Sequence, residues 1–218
     1  MAEYHTEEQQ VEAIKRWWQE NGKAVLTGLA LGVVLLFGGR AWFQHQRTQA
    51  QEASLQFEAL SQAVDAGNAQ GAAEYADRLV SEYSGTPYAT LAALMMAKVR
   101  VDAQDWVGAT QHLQWAIDHA GVANIEHIAR LRLARVYIAQ GNLEAALGLL
   151  EAVKEGSFVP AYAEVKGDIY VAQGATQQAR QAYELALTGE HWDPEQRRIV
   201  QMKLDDLVAD VAEVSTAQ

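Results

Sequence analysis

Sixteen consecutive uncharged residues, Ala24 to Gly39, constrain this chain more than any other feature in it, because so long a run rich in Leu and Val has few places to go. Arg40 can snorkel, so the apolar stretch extends to Phe43. As a helix, residues 24–43 rise about 30 Å, one hydrocarbon thickness. Trp17 and Trp18 precede the run and Trp42 and Phe43 close it, which places amphipathic rings where membrane interfaces would lie. A signal peptide would open on a short basic region, whereas 23 residues including five Glu come first here. The small-residue site Gly39-Arg40-Ala41 is a poor cleavage match, with Arg inside it and bulky Trp42 after it. The run therefore reads as a transmembrane helix over 24–43, with a buried core helix as the competing reading.

Residues 1–23 read as a cytoplasmic tail carrying a short amphipathic helix, because Val11, Ile14 and Trp18 share one face and Glu12 can pair with Arg16. Lys15, Arg16 and Lys23 precede the span, against Arg40 and Arg47 after it. That bias leans toward N-terminus in and C-terminal domain out, which in a bacterium means the periplasm. Gly28 and Gly32 form a small-xxx-small pair, a candidate docking face for another transmembrane helix.

The rest of the chain is built for helices: Gly and Pro are sparse, and Ala, Leu, Gln and Glu dominate. The formal charge of -11 sits in residues 48–218 and argues against a nucleic-acid partner. With no cysteine, thiol nucleophiles, disulfides and Cys-ligated zinc are excluded.

A self-similarity search over residues 44–208 finds a repeat. Leu133-Ala134-Arg135-Val136-Tyr137-Ile138-Ala139-Gln140-Gly141 recurs 33 residues later as Lys166-Gly167-Asp168-Ile169-Tyr170-Val171-Ala172-Gln173-Gly174. The same offset carries Ala146 onto Ala179, Leu150 onto Tyr183 and Val153 onto Ala186. Small residues allow two helices to approach, Tyr and Leu fill the gap, and Gly141 and Gly174 end the first helix of each pair. A looser copy places Ala97, Ala109, Leu113 and Ala116 at these positions, with Gln104-Asp105 where the turn glycine would be. A fourth, degenerate copy runs from Leu55 to Leu79 around Gly67, with Ala72 and Ala76 on its second helix.

The pattern resembles the tetratricopeptide (TPR) family and implies an all-α chain: one transmembrane helix followed by a TPR-like solenoid of about four hairpins. Thr86-Pro87, Ser157 to Pro160 and Asp193-Pro194 fall where helices start. A last amphipathic helix carrying Ile199, Met202, Leu204 and Leu207 would cap the array, and residues 209–218 read as a disordered tail.

No chemistry stands out. The six histidines are scattered without metal-ligand spacing, Asp205 and Asp206 diverge on a helix, and no phosphate-cradling glycine loop follows a strand. The reading is a non-enzyme that needs no cofactor. A solenoid offers instead a concave groove lined by the first helix of each pair. Its candidate protein-binding residues are Leu94, Lys98 and Val101, then Leu131, Arg135 and Ile138, then Glu164, Asp168 and Val171. The mixture suits an extended polypeptide, although several of these side chains could equally pack between helices.

The opening Gln10-Val11-Glu12-Ala13-Ile14-Lys15-Arg16-Trp17-Trp18, then Glu20-Asn21-Gly22-Lys23, then the span, followed by Leu131-Arg132-Leu133-Ala134-Arg135-Val136 inside the repeats, resembles the YfgM family, ancillary subunits of the bacterial SecYEG translocon. The resemblance implies an inner-membrane protein with a periplasmic TPR-like domain, associated with SecYEG and the chaperone PpiD. It would hand unfolded secretory chains to periplasmic chaperones. It also implies an alternative, restraint of the regulator RcsB through the cytoplasmic tail. A scaffold of an envelope assembly complex is a further alternative.

Overall fold

The computed structural model describes residues 7–151, 156–189 and 194–216, and every element among them is helical. They are α1 (Glu7–Asp65), α2 (Ala69–Glu82), α3 (Pro87–Asp102), α4 (Trp106–Asp118), α5 (Ala123–Ala139), α6 (Leu143–Leu150), α7 (Val159–Ala172), α8 (Thr176–Leu187) and α9 (Pro194–Thr216). Residues 1–6, Val153 and the expected N-cap Asp193 lie outside the described residues.

The chain divides into two units, residues 1–51 and 52–218. In the first, α1 runs without a break through the expected tail and the apolar span, so the amphipathic segment before the span is not a separate helix. No proline interrupts it, and its backbone hydrogen bonds close internally, as a hydrocarbon environment demands. Leu35, Leu36 and Phe37 are at least 70% exposed, as lipid-facing side chains would be.

In the second unit the end of α1 pairs with α2, and α3/α4, α5/α6 and α7/α8 complete four hairpins, with α9 packed on α8. Each hydrophobic cluster joins three consecutive helices. Leu60, Leu79 and Met96 link α1, α2 and α3, whereas Ala97, Leu113 and Leu133 link α3, α4 and α5. Leu131, Leu150 and Ile169 link α5, α6 and α7, and Ala163, Tyr183 and Val200 link α7, α8 and α9. Such nearest-neighbour burial defines a solenoid. The odd helices also touch across repeats, α3 with α5 and α5 with α7, while the even helices make no comparable contact with one another. The odd layer is therefore the tighter, inner face.

The four hairpin turns are built alike. Gly67, Gln104, Gly141 and Gly174 all take positive φ, at 67°, 57°, 75° and 71°. The residue after each donates its N–H back to the carbonyl five residues earlier, Asn142 to Tyr137 and Ala175 to Tyr170 for example, closing a Schellman turn. In three of the turns that same residue then caps the next helix through its side chain: Asn68 to the Gly71 N–H, Asp105 to Gly108 and Asn142 to Ala145. Ala175 gives the fourth turn no such cap.

At the C-terminus α9 runs on to Thr216, through residues expected from the sequence to form a tail, and no Gly or Pro interrupts the chain after Pro194.

Candidate functional site

The α3–α5 surface carries a groove of about 310 Å³. Its floor is Ala97, Val101, Leu113 and Val136, all apolar; its rim is Lys98, Arg132 and Arg135. Small Ala97 on α3 opens the space, and the α3–α5 contact brings the two rims together.

Of the residues read as groove-lining from sequence, Lys98, Val101 and Arg135 thus meet in one place. Leu94 and Leu131 do not line it. Both are 6% exposed, Leu94 packing with Ala93 and Leu113, and Leu131 with Ala134 and Tyr162. They fill the space between helices, the packing alternative left open above. Ile138 is half-buried against the α5–α7 cluster, and Val171 is exposed. Arg132 was missed. Its spacing of three from Arg135 puts both on one helical face, a signal present in the sequence.

Glu164 and Asp168 are engaged within the chain. Glu164 is only 5% exposed; its Oε1 accepts from Lys203 Nζ at 3.0 Å and its Oε2 from Arg135 at 3.4 Å. Asp168 accepts from Lys203 at 2.8 and 2.9 Å and from the Tyr183 hydroxyl at 2.7 Å. Burial works against the Lys203 ammonium, but the hydrogen bonds and charges of Asp168 and Glu164 overcome it and raise its pKa. Burial also pushes the Tyr183 hydroxyl up, reinforced by Asp168. The α7 end of the inner face is thus closed by α9 through Lys203.

Around the groove, compensation is uneven. Lys98 pairs with Asp102 at 2.8 Å on an exposed helix surface, where such pairs contribute little. Arg135 shares Glu164 with Lys203, and among the described residues Arg132 has no carboxylate partner. The groove is therefore basic on a chain of net charge -11. No group of three or more His, Cys, Asp or Glu able to hold a metal occurs among the described residues.

In the first unit, Gly28 and Gly32 have nothing within 4 Å of an added Cβ, so both leave open space on the helix surface. The apolar stretch of α1 has the length and composition to cross a membrane, and none of its most apolar window is buried.

The tetratricopeptide repeat-like domain family matches residues 15–209. Relatives align along nearly the full length. The ancillary SecYEG translocon subunit of Escherichia coli is 33% identical over 94% of this chain and 98% of its own length. The chain belongs to the family of ancillary SecYEG translocon subunits. Proteins of the same name from Haemophilus influenzae, 34% identical over 92% of this chain and 97% of their own, and from Neisseria gonorrhoeae, 33% identical over 95% and 100%, agree. The family match spans both the anchor and the four hairpins, so the resemblance seen at residues 10–23 and 131–136 is borne out.

Proposed function

We propose that this chain is a non-catalytic, membrane-anchored adaptor at the SecYEG translocon, with its TPR-like domain in the periplasm, where it passes emerging secretory chains to chaperones such as PpiD. The observation that carries the reading is nearly full-length similarity to proteins named as translocon subunits, together with a repeat-family match over residues 15–209 of this chain. Exposed Leu35, Leu36 and Phe37, beside the open Gly28/Gly32 surface, suit a helix that sits in lipid and meets another membrane helix. The three-against-two basic bias around the span supports the outward orientation.

The test is mild-detergent co-purification combined with photocrosslinkers at Lys98 and Arg132 on the groove rim. SecYEG should co-purify, and the crosslinkers should capture PpiD or a nascent secretory chain. A reporter active only in the periplasm, fused after Gln218, should be on. Recovery of neither translocon nor client, or a silent reporter, overturns the reading.

A further inference from the structure

We propose that the α3–α5 groove binds a polypeptide segment in which one bulky apolar side chain is flanked by carboxylates, the apolar group resting on Val101, Leu113 and Val136 and the carboxylates reaching Lys98, Arg132 and Arg135. The proposal rests on the adaptor reading and deepens it by naming the chemistry of the segment that is held.

Shape and charge together point to this occupant. A groove of about 310 Å³ with an apolar floor accommodates a large side chain, and burial there contributes through the hydrophobic effect. An apolar residue alone would leave the rim cations facing one another. Lys98 and Asp102 form an exposed pair in which a ligand carboxylate can replace Asp102 at little cost. Glu164 satisfies only part of Arg135, since Lys203 donates to the same carboxylate at the shorter distance of 3.0 Å. Arg132 offers a full set of donors with no carboxylate taking them among the described residues. A basic segment would be repelled by all three cations.

The remainder of the chain sharpens the selectivity. A domain whose net charge is strongly negative repels an acidic segment over much of its surface, so a local basic rim such as this one decides where the segment can settle. Guidance of this kind acts over about a Debye length and weakens as salt is added. The groove thus distinguishes acidic–apolar segments from the basic or neutral ones that a purely apolar groove would accept equally.

The experiment uses the full chain in nanodiscs of zwitterionic lipid, so that no anionic headgroup competes. A short fluorescent peptide with one central Leu flanked by Glu, amidated at its C-terminus, is titrated and followed by anisotropy. Three controls replace Glu by Gln, Glu by Lys, or Leu by Ser. The acidic–Leu peptide should bind, each control should bind at least about tenfold more weakly, and raising salt from about 50 to about 500 mM should weaken the acidic peptide severalfold. Lys98→Glu combined with Arg132→Glu should cost at least about tenfold, and the milder Lys98→Gln/Arg132→Gln pair should weaken binding without change in melting temperature.

Equal binding of the acidic and Gln peptides, or no loss in the Gln pair, overturns the proposal. Binding that depends on a free terminal carboxylate and is lost on amidation overturns it as well. SecYEG co-purification is scored in the same variants. Co-purification without selective peptide binding removes the groove assignment and leaves the adaptor reading intact; selective peptide binding without co-purification does the reverse.

Discussion

Side-chain volume is exchanged between partners sixteen residues apart in every hairpin: Leu60 with Ala76, Ala97 with Leu113, Ala134 with Leu150, Gly167 with Tyr183. A large residue always faces a small one, and in the first hairpin the order is reversed. At the last pair the fit is tightest, since a Cβ on Gly167 would meet the Tyr183 ring. Gly167→Ala should therefore destabilise the domain by about 1–3 kcal/mol through overpacking, measured by denaturant unfolding. Tyr183→Leu in the same chain should recover part of that loss by recreating the Ala134/Leu150 pair; no recovery would contradict the exchange. Gln104 supplies a second prediction. It holds the left-handed conformation that glycine takes in the other three turns, with φ of 57°. Gln104→Gly should raise stability by up to about 1 kcal/mol, read as a higher melting temperature. His112 on α4 supplies a pH dependence. Burial pushes its imidazole below the usual range, helped by Arg100 on α3 and opposed by Asp77 on α2 and by Asp105. The unfolded chain then binds more protons, so stability is full above the ordinary histidine pKa and falls as pH drops from there toward the depressed value. Melting temperature should fall over that window in the parent chain and fall less in His112→Gln.

Each helix owes its place to signals of different visibility. The hairpins around Gly141 and Gly174 were legible because glycine at a turn, a small residue seven before it and Ala five after it repeat at 33 residues. The second hairpin was harder to see because Gln104 performs the turn without glycine, and the first because Leu60 and Ala76 reverse the size pattern. Gly28/Gly32 and, on the groove rim, Lys98 and Arg135 were readable as spacing, whereas Arg132 escaped although it lies three residues from Arg135. The fates of Leu94, Leu131, Glu164 and Asp168 were not readable, since helical periodicity shows a shared face but not which neighbour covers it. That neighbour is partly α9. Lys203 connects α9 to the buried carboxylate of Glu164 and the half-buried one of Asp168 on α7, while Val200 and Leu207 bury their apolar groups against α7 and α8. Lys203→Met should cost about 3 kcal/mol or more, because Glu164 would remain buried without its nearer cation. Hydrogen exchange should show α9 opening before α3–α6. Adding Glu164→Gln and Asp168→Asn to Lys203→Met should return much of the loss. The Lys203 contribution is complete at neutral pH, since its folded-state pKa lies above the ordinary value, and it is lost only as pH rises through that raised pKa.

One chain carries two solutions to burying apolar surface. In residues 52–218 the solution is internal: each cluster is closed by three successive helices, and α9 covers the last hairpin with exposed charge outward. In residues 1–51 no internal solution exists among the described residues, because Leu29, Val34, Leu35, Leu36 and Phe37 are all more than 60% exposed. A contiguous surface of that kind is far larger than a water-soluble chain tolerates and requires lipid or another helix. A chain beginning at Glu52 retains Ala53, Leu60 and Ala63, which complete the first hairpin cluster. It should therefore fold in water, remain monodisperse without detergent in gel filtration and keep a helical circular-dichroism spectrum. The full chain should partition into the membrane fraction and resist extraction by high salt and alkaline carbonate, which strip proteins held by charge. Leu35→Arg together with Leu36→Arg places two charges near the bilayer centre, each opposing insertion by about 2.5–3.5 kcal/mol, and should shift the full chain toward the soluble or aggregated fraction. Those substitutions should leave the melting of residues 52–218 unchanged, since neither side chain belongs to that core. If the Arg pair remained carbonate-resistant, Leu35 and Leu36 would not be the side chains that face hydrocarbon, and a partner membrane helix packed on that part of α1 would have to cover them.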